Sequence, residues 1–412
     1  MIKIKLKNKT LKKFILFPIY LIEFFISFLS LIRFLKKNIN KIYFIQLEGG
    51  FGHTITTPYM LDFHYDKDWI LIFGFSKHRH NKEINKLFNN KIFFIDITFA
   101  FFLDFKHKIK LENFLKSLIF KILKIKINSI HGNNEKITAA PYNKNKEYLK
   151  RLDSKFFWIY HKTNKIYKLP SDLNEKFTAK IKKFNPNKNK IVNFIIRTKD
   201  TDKNFALKKT GMSRDFGDIN KYEKVIEFLV NKNFKILFSG DEFIFPESLI
   251  KFKENFITLE DTNFKKEEYG IFAGMCSNFS IGPVSGALHY NLLTRNPSLI
   301  LECGVFGYGY PNSLISYKKI QVNSALDLKK IFLDFFYNFS DPEYVRNFYK
   351  NNKTEELNED ELLLILKEFI EIIENKKVSV KPKDLEINEG IMIDTDVNIS
   401  SVWLDLINIR VK

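Results

Sequence analysis

Short apolar runs that alternate with helical stretches constrain the fold of this chain more than any other feature. Strand-like runs occupy residues 41–47, 69–75 and 92–97, and helical stretches at 57–63 and 79–88 lie between them. Apolar residues fill most positions of each run, which is typical of strands buried on both faces of a parallel sheet. We therefore predict an α/β unit that begins near residue 41.

The same alternation resumes further along the chain. Strand-like runs follow at 190–197, 234–239, 256–259, 279–281 and 299–302, with helices at 222–231 and 267–275. Two such series, each with a glycine turn after a strand, predict two facing Rossmann-like domains. Ligands of such sheets bind beyond the carboxyl ends of the strands, so the cleft between the domains is the predicted active site.

Composition indicates where the domains divide. A Lys- and Asn-rich region at 142–189, with Pro141, Pro170 and Pro186, contains the predicted inter-domain passage. An acidic helix is predicted at 355–375. The predicted segments are a hydrophobic and basic segment at 1–40, Rossmann-like domains at 41–185 and 186–340, and a helical C-terminal extension at 341–412.

The charge of the chain restricts the classes of partner. The 412 residues are 45% hydrophobic and include 44 phenylalanines, which excludes a disordered chain. The net charge of +20 reflects in part a coding bias toward Lys, Asn, Ile and Phe, and the remainder favours anionic lipid surfaces or phosphorylated ligands. No zinc-finger spacing, RNP-like motif or basic region with heptads occurs in the sequence, so no nucleic-acid partner is predicted. Cys276 and Cys303 lie among apolar or glycine residues, so we predict buried thiols in a reducing compartment.

Two segments are candidates for contact with a membrane. Residues 14–32 are nearly all apolar with basic flanks, and the length just suffices for a bilayer, although Glu23 and Pro18 disfavour a span. An uncleaved anchor, an interfacial helix and a helix packed on the protein all remain open, and membrane association is favoured. At 110–126, apolar residues at helical spacing alternate with lysines, which fits an anionic membrane surface or, more commonly, a core helix with a solvated face.

A glycine-bounded turn at residues 282–289 is the most informative motif. It follows a short apolar run and opens a segment with helical character at 287–293. Gly282 and Gly286 allow close approach of the backbone to an anion, and Ser285 can cap the helix or donate to a phosphate oxygen. Together with the N–H groups of a helix start, the turn is either a pyrophosphate site or an ordinary capped helix.

A second glycine-rich turn follows the first strand-like run. Gly49, Gly50 and Gly52 bring the backbone close to a ligand, and His53 stands at the start of the next helix. An imidazole there can accept a proton from an acceptor hydroxyl, and Glu48 is the competing base. The alternative is a simple βα turn with a surface or capping histidine.

Charged residues follow two of the later strands. Arg197, with Lys199, comes at the end of the strand near 190–196, where a guanidinium suits a diphosphate; the alternative is a solvent charge. Asp241 and Glu242 follow the strand near 234–239 and can receive ribose hydroxyls or a base edge, or form a plain acidic turn.

Metal-binding patterns are sparse in the sequence. Two Asp-x-Asp patterns, Asp200/Asp202 and Asp394/Asp396, are the type that holds a divalent cation with a nucleotide diphosphate. Three-residue patterns of this kind often arise by chance, so no metal site is predicted. No His/Cys cluster has zinc spacing.

These motifs together resemble those of GT-B glycosyltransferases. GGFGHTITTP at 49–58 resembles the first loop of lipopolysaccharide heptosyltransferases, and IGPVSGALHY at 281–290 resembles their donor-diphosphate turn. The stretch at 213–241 is similar to the donor half of glycosyltransferases from bacterial surface-polysaccharide gene clusters. The resemblance covers roughly residues 41–320 and leaves the first 40 residues and the C-terminal region outside.

The resemblance implies roles for the predicted site residues. His53 takes the place of the acceptor-activating base, which is an aspartate in heptosyltransferases. Arg197 matches a donor-phosphate cation, and the turn residues Ser285, Gly286 and His289 match the donor-phosphate turn. Asp241 and Glu242 match the surroundings of the donor ribose. Such enzymes are usually metal-independent, because cations and a helix start stabilise the leaving diphosphate.

The predicted function is therefore sugar transfer from a nucleotide-diphosphate donor to a glycan or lipid-linked acceptor in bacterial surface polysaccharide synthesis. The expected location is the cytoplasmic face of the inner membrane, with an acceptor domain at 41–185 and a donor domain at 186–340. No cofactor is expected beyond the donor substrate. The alternatives are a pyruvyl-type polysaccharide-modifying transferase on a similar fold and a non-catalytic membrane-associated protein that binds sugar nucleotides. A metal-dependent transferase using Asp394 and Asp396 ranks lower.

Overall fold

The chain forms two compact units. The computed structural model describes residues 9–47, 53–65, 68–75, 81–98, 105–130, 165–197, 219–241, 243–338, 341–387 and 397–409. Contacts divide the chain into Met1–Ala139 and Ala140–Lys412, whereas composition drew the boundary at 185–186.

Unit 1 carries the first parallel sheet. Its described elements are α1 (Lys9–Lys37), β1 (Ile42–Gln46), α2 (His53–Tyr65), β2 (Trp69–Phe75), a 3-10 helix (Lys82–Phe88), β3 (Ile92–Asp96), α3 (Phe105–Leu123) and β4 (Ile127–Ser129). All strand pairs are parallel, in the order β3-β2-β1-β4. β2 is buried along its whole length, as expected for a strand covered on both faces. This order is that of one half of a Rossmann-like sheet.

Helices α1 and α3 cover one face of the first sheet. Leu31 and Leu35 of α1 and Leu115 and Ile119 of α3 are fully buried and share a core cluster with strand residues such as Ile45. The predicted N-terminal apolar helix is therefore present, and one side of it belongs to the core of unit 1. Among the described helices, the segment Leu16–Lys37 is the one long and apolar enough to cross a membrane.

Unit 2 carries the second parallel sheet. Its described strands are β5 (Ile191–Ile196), β6 (Lys235–Gly240), β7 (Phe256–Ile257), β8 (Phe279–Gly282), β9 (Ser298–Cys303), β10 (Ser313–Tyr317), β11 (Lys319–Ile320), β12 (Thr354–Glu355) and β13 (Asn398–Ile399). Its α-helices are α4 (Ser171–Phe184), α5 (Glu223–Asn231), α6 (Leu259–Thr262), α7 (Lys266–Cys276), α8 (His289–Thr294), α9 (Ala325–Asn338), α10 (Pro342–Asn351), α11 (Glu359–Ile373) and α12 (Ser401–Leu406). The 3-10 helices are Ile219–Tyr222, Glu247–Asn255, Gly286–Leu288 and Pro382–Leu385.

Seven of these strands form the sheet that positions the candidate site. Their order is β13-β10-β9-β8-β5-β6-β7, and all pairs are parallel. β11 and β12 pair with each other, antiparallel, outside this sheet. Read from β7, the order runs back to β5 and then onward through β8, which is the arrangement of a Rossmann-like sheet. The predicted α/β class with two Rossmann-like units is confirmed.

The C-terminal region is helical, as predicted, and adds the edge strand β13 to the second sheet. The buried carboxylate of Glu368 on α11 accepts hydrogen bonds from Ser401 N at 2.8 Å, from Ser401 Oγ at 2.6 Å and from Val402 N at 3.3 Å. A carboxylate at these positions satisfies the unpaired N–H groups at the start of α12. Glu368 therefore fastens the C-terminal segment to unit 2.

Several predicted elements are shorter than their apolar patterns. The acidic helix begins at Glu359 because Asn358 and Glu361 form a capping box there. The stretch predicted as a helix at 79–88 is a 3-10 helix, capped by Asn81, in its described part. The strand predicted at 256–259 ends at Ile257, because Thr258 caps α6.

Candidate functional site

The strand order of the second sheet reverses beside β5. β6 and β7 lie on one side of β5, and β8 and later strands lie on the other. In open parallel sheets a ligand crevice forms beyond the carboxyl ends of the strands at this switch point. β5 leads there into Arg197, β6 into Asp241 and β8 into the turn that contains Ser285. Three stretches that are distant in the sequence therefore end at one edge of the sheet.

The end of β6 closes onto the end of β5. Asp241 N donates to Ile196 O at 3.0 Å. Gly240 has a φ of +101°, and a Cβ at this position would lie 2.1 Å from Ile196 O. A residue with a side chain is thus excluded by both conformation and space. The contact brings the backbone of Asp241 beside the residue that precedes Arg197.

The last residue of β8 also lies close to β5. A Cβ on Gly282 would lie 2.8 Å from Ile195 Cβ, so glycine is required for the two strands to meet. Ser285 has extended backbone angles, and its Oγ accepts a hydrogen bond from Ala287 N at 3.3 Å. The hydroxyl is an N-cap, as predicted, and its own proton remains a possible donor to an anion.

The helical segment after this turn is shorter than a regular long helix. A 3-10 turn, Gly286–Leu288, precedes the six residues of α8. The macrodipole grows with the number of aligned peptides, so a segment this short contributes little of it. An anion at this turn would therefore be attracted by local N–H groups rather than by a helix dipole.

The side chain of His289 is hydrogen-bonded to the backbone of the turn. The residue is 9% exposed, and its Nδ1 donates to Gly286 O at 3.1 Å. Its ring meets Tyr310 edge-to-face, with 5.5 Å between centroids. Because a carbonyl only accepts, this bond fixes the tautomer that carries a proton on Nδ1.

Helix α8 is fixed from behind by α7. A Cβ on Gly274 of α7 would lie only 2.2 Å from Tyr290 Cβ of α8, so the two helices meet through a glycine. Tyr290 is 2% exposed. This close packing sets the position of the segment that carries the turn.

A chain of buried polar side chains lies under the switch point, and the sequence analysis did not identify it. It is built from Ser239 on β6, Asn193 on β5, Ser280 on β8, Asn291 on α8 and Ser298 on β9, all at most 9% exposed. Ser239 Oγ donates to Asn193 Oδ1 at 2.6 Å, and Asn193 Nδ2 donates to Ser280 Oγ at 3.1 Å. Ser280 Oγ donates to Asn291 Oδ1 at 2.9 Å, and Asn291 Nδ2 donates to Ser298 Oγ at 3.2 Å.

These four hydrogen bonds run head to tail in one direction. Each of the three middle residues accepts from one neighbour and donates to the next, an arrangement in which successive bonds strengthen one another. The chain joins four neighbouring strands to one another and to α8, so it fixes the relative positions of the strands that lead to the site. Asn193 and Ser280 interrupt runs that are otherwise apolar, which is the signal in the sequence that identifies them.

Glu302 lies at the carboxyl end of β9, and its carboxylate bonds to neighbouring segments of unit 2. It has a φ of +52°, which is uncommon for a residue other than glycine. Its Oε2 lies 2.5 Å from Lys221 Nζ and accepts from Tyr222 Oη at 2.9 Å, and its Oε1 accepts from Leu357 N at 2.8 Å. The acidic group is therefore engaged in joining β9 to the 3-10 helix before α5 and to the start of the α11 region.

The corresponding switch point of unit 1 lies between β1 and β4. α2 begins at His53, as the sequence predicted for the residue after the glycine turn. Thr57 Oγ1 donates to the buried Gln46 Oε1 at 2.8 Å, which ties α2 to the end of β1. The predicted site residues Glu48, Gly49, Gly50 and Gly52, and the side chain of His53, lie outside the part of the chain that the structure describes.

Other predicted groups also lie outside the described residues: Lys199, Glu242 and the pairs Asp200/Asp202 and Asp394/Asp396. Within the described ranges, no three His, Cys, Asp or Glu side chains form a group suited to a metal ion. Cys276 and Cys303 are both free thiols; Cys303 is buried, as predicted, whereas Cys276 is half-buried. Desolvation raises the pKa of the Cys276 thiol to about 12, which disfavours the reactive thiolate at neutral pH.

Among the comparisons with known proteins, solved structures gave the matches. No protein-family model matches the chain, and no curated protein matches it. The structure is similar to that of glycosyl transferase family 9 from Veillonella parvula, at 10% identity and a TM-score of 0.45, over 81% of this chain and 98% of that one. It is also similar to ADP-heptose LPS heptosyltransferase II of E. coli, at 10% identity and a TM-score of 0.37, over 67% and 85%. A third similar structure is an E. coli heptosyltransferase with ADP-2-deoxy-2-fluoro heptose, at 10% identity and a TM-score of 0.37, over 74% and 99%. These TM-scores all lie below 0.5.

Proposed function

We propose that this protein is a GT-B-type glycosyltransferase that uses a nucleotide-diphosphate sugar as donor. The observation that carries the proposal is that β5, β6 and β8 end at one edge of the sheet beside its switch point and lead there into Arg197, Asp241 and the Ser285–Gly286 turn. A guanidinium suits a phosphate, and a carboxylate can accept hydrogen bonds from ribose hydroxyls. A serine–glycine turn lets the backbone approach the diphosphate closely. The order of the motifs along the chain supports the same assignment.

Each group has a chemical task in donor binding. Arg197 pairs with oxygens of the diphosphate, and the Ser285 hydroxyl and the N–H groups of the following turn donate to the same anion. Asp241 receives ribose hydroxyls. Lys199 and Glu242 are proposed as neighbours of these groups. His289 acts on the turn by holding Gly286 O.

The reaction forms a bond between the acceptor oxygen and the anomeric carbon of the donor sugar. The bond from that carbon to the diphosphate oxygen breaks, and the nucleoside diphosphate leaves with the electron pair. The acceptor proton passes to His53 or Glu48 at the glycine turn that contains Gly49, Gly50 and Gly52. Stabilisation of the leaving diphosphate by fixed cations and N–H groups makes a metal ion unnecessary in this proposal.

The acceptor is proposed to be a glycan or a lipid-linked glycan of bacterial surface polysaccharide. The expected location is the cytoplasmic face of the inner membrane. The apolar helix α1 and the net charge of +20 support contact with an anionic membrane.

A thermal-shift screen against UDP, GDP, CMP, ADP and dTDP, with and without Mn²⁺, tests the donor assignment. A nucleotide that binds the folded state raises the unfolding temperature by mass action. We expect one diphosphate to stabilise the protein without metal, and the corresponding nucleotide sugar to release that diphosphate when acceptor is present. Arg197→Ala should weaken donor use far more than acceptor binding. Arg346→Ala, on the exposed side of α10, is the matched control.

Other outcomes favour the alternatives. Stabilisation that requires Mn²⁺ would favour a metal-dependent transferase with Asp394 and Asp396. Binding without turnover, with tolerance of His53→Ala and Glu48→Ala, would favour a non-catalytic sugar-nucleotide-binding protein. No response to any nucleotide would exclude the donor assignment and favour a pyruvyl-type transferase.

A further inference from the structure

Helix α1 has two faces with opposite environments. Phe24, Phe28, Leu31 and Leu35 recur at helical spacing, are at most 8% exposed, and lie in the core cluster under the first sheet. On the same side, Ser27 Oγ accepts a hydrogen bond from the N–H group at the end of β3, at 3.0 Å. This face is part of the fold of unit 1 and is not available to lipid.

The opposite face of α1 is apolar and exposed. Ile22, Phe25, Ile26 and Leu29 are between 56% and 61% exposed. Residues 22, 26, 29, 33 and 36 form one stripe, because their spacing alternates between four and three. Its first three members are apolar, and the last two are the exposed Arg33 and Lys36.

Helix α3, beside α1 on the same sheet, extends this surface. Phe114, Phe120 and Ile122 are 57%, 52% and 50% exposed. Lysines flank them at four exposed positions, 110, 121, 124 and 126. The ammonium of Lys124 lies over the ring of Phe120, 5.9 Å from its centroid.

We call the exposed residues of α1 and α3 the α1–α3 face. Nine of the eighteen large apolar side chains exposed among the described residues lie on these two helices: Phe17, Ile19, Ile22, Phe25, Ile26, Leu29, Phe114, Phe120 and Ile122. At about half exposure each, they present on the order of 800 Å² of apolar surface, against roughly 300–600 Å² for the largest patch of a typical monomer. The exposed positions at 16–37 and 110–126 include no acidic residue; Glu23 is half-buried and Glu112 is buried.

We infer that the α1–α3 face docks in the plane of an anionic membrane surface, with its apolar side chains among the acyl chains and its basic residues at the headgroups. Basic residues at the rim without acidic ones match anionic lipid, and this charge pattern is typical of interfacial helices. A span by α1 alone would require lipid on all sides of the helix, and the buried face excludes this. The inference rests on unit 1 and stands whether or not the proposed donor binding is correct.

Co-flotation of the full chain with vesicles of phosphatidylethanolamine and phosphatidylglycerol tests the docking. The triple variant Phe25→Gln, Ile26→Gln and Leu29→Gln should lower the vesicle-bound fraction at least tenfold. The matched control carries three glutamines at the exposed apolar positions Ile244, Ile250 and Leu326 of unit 2 and should bind like the parent chain. Circular dichroism and the unfolding midpoint establish that each variant is folded, as expected for exposed sites.

A second measurement distinguishes docking in the plane from insertion. A fluorophore on Ile19→Cys or on Leu29→Cys is quenched by lipids that carry a quencher at known depth. The two positions lie ~15 Å apart along a helix axis. Equal, shallow depths support the inference, and depths that differ by the helix rise would overturn it in favour of a span.

Two further measurements test the requirement for anionic lipid and the alternative that the α1–α3 face binds a second copy of the chain. Replacing Lys110, Lys121 and Lys124 by Gln should reduce binding to anionic vesicles and leave weak binding to neutral ones. Equal binding of the parent chain to vesicles of phosphatidylcholine alone would overturn the requirement for anionic lipid. A stable dimer that the triple glutamine variant abolishes, together with no binding to either vesicle, would overturn the inference and assign the face to a second copy of the chain.

Discussion

Replacing Asn291 by Ala should loosen the attachment of α8 to β8 and β9, next to the proposed donor site. Asn291 is 1% exposed and is the only helix residue in the buried polar chain described above. It accepts from Ser280 Oγ at 2.9 Å and donates to Ser298 Oγ at 3.2 Å and to Pro297 O at 3.4 Å. Without the amide, α8 loses its polar attachment to β8 and β9.

The magnitude follows from the groups that would lose their partners. Pro297 O keeps its bond from Ser280 N at 3.2 Å, so it remains satisfied. The Ser280 hydroxyl loses its acceptor, and Ser298 Oγ loses its donor. A buried polar group left without a partner costs about 1–3 kcal/mol, so we expect a loss of roughly 2–4 kcal/mol. The two longer bonds should contribute the smaller part.

Amide hydrogen exchange is the appropriate assay because it resolves local stability within a chain of two units. Peptides from β5, β8 and β9 should exchange faster in Asn291→Ala, and peptides from unit 1 should not change. Asn338→Ala is the control, since Asn338 is exposed and donates only to Asp334 O at 2.8 Å. Its effect should stay below about 1 kcal/mol.

A double replacement tests whether the polar side chains act as one network. Asn193→Ala removes the neighbouring amide, which bonds Ser239 and Ser280. In a coupled chain, Asn193→Ala with Asn291→Ala should cost less than the sum of the two single replacements. Additive effects, or an Asn291→Ala protein as protected as the Asn338→Ala control, would refute the reasoning.

Three further predictions concern unit 2. Gly274→Ala should lower the unfolding temperature because the new Cβ would lie 2.2 Å from a tyrosine of α8, whereas Gly270→Ala on the same helix meets nothing nearer than 3.8 Å and should be neutral or stabilising by up to ~1 kcal/mol. Glu368→Ala should release the segment 397–409, at a cost of about 3–5 kcal/mol for a buried, fully bonded carboxylate, and limited proteolysis should then remove that segment first. Burial raises the pKa of Cys276 to about 12, so the folded state holds the thiol proton more tightly than the unfolded chain does, and this stabilisation is complete below the ordinary thiol pKa and lost as the pH rises toward 12. Iodoacetamide at about pH 8 should therefore label this thiol only after unfolding; rapid labelling of the folded protein would contradict the assignment.

The strands were the part of the fold that the sequence predicted best. β2 coincides with its apolar run, β5 is one residue shorter than its run at each end, and β8 is one residue longer than its run. Such strands are buried on both faces, so most of their residues are apolar and the strand appears in the sequence as a nearly continuous apolar run. The edge strand β13 has two residues and no such run, and its place in the sheet depends on contacts distant in the sequence.

The N-terminal helix shows a different limit. Its apolar residues surround the helix, so composition alone left a span, an interfacial helix and a packed helix open. Phe24, Phe28, Leu31 and Leu35 can be recognised as the buried face of the helix only when the sheet that they pack against is known. The sheet thereby separates an inner face from an outer one, which hydropathy does not do.

The sequence predicted the candidate site residues that follow the strands, but it did not predict the buried polar side chains that hold these strands together. Arg197, Asp241 and Ser285 follow strands in the sequence, and the parallel order brings those strand ends to one edge. The reversal beside β5, which makes them neighbours, follows from strand order, and no local pattern encodes that order. The polar chain through Asn193 and Asn291 was missed for a similar reason, because its members belong to different strands and to α8 and become partners only in the folded unit.

The most direct test of the central claim is a map of where a nucleoside diphosphate protects the protein from amide hydrogen exchange. The screen described above supplies the nucleotide, and the protein is saturated with it. The account predicts protection at the ends of β5, β6 and β8, in peptides that contain Arg197, Asp241 and Ser285. Protection confined to other parts of the chain, or none at a saturating concentration, would contradict it.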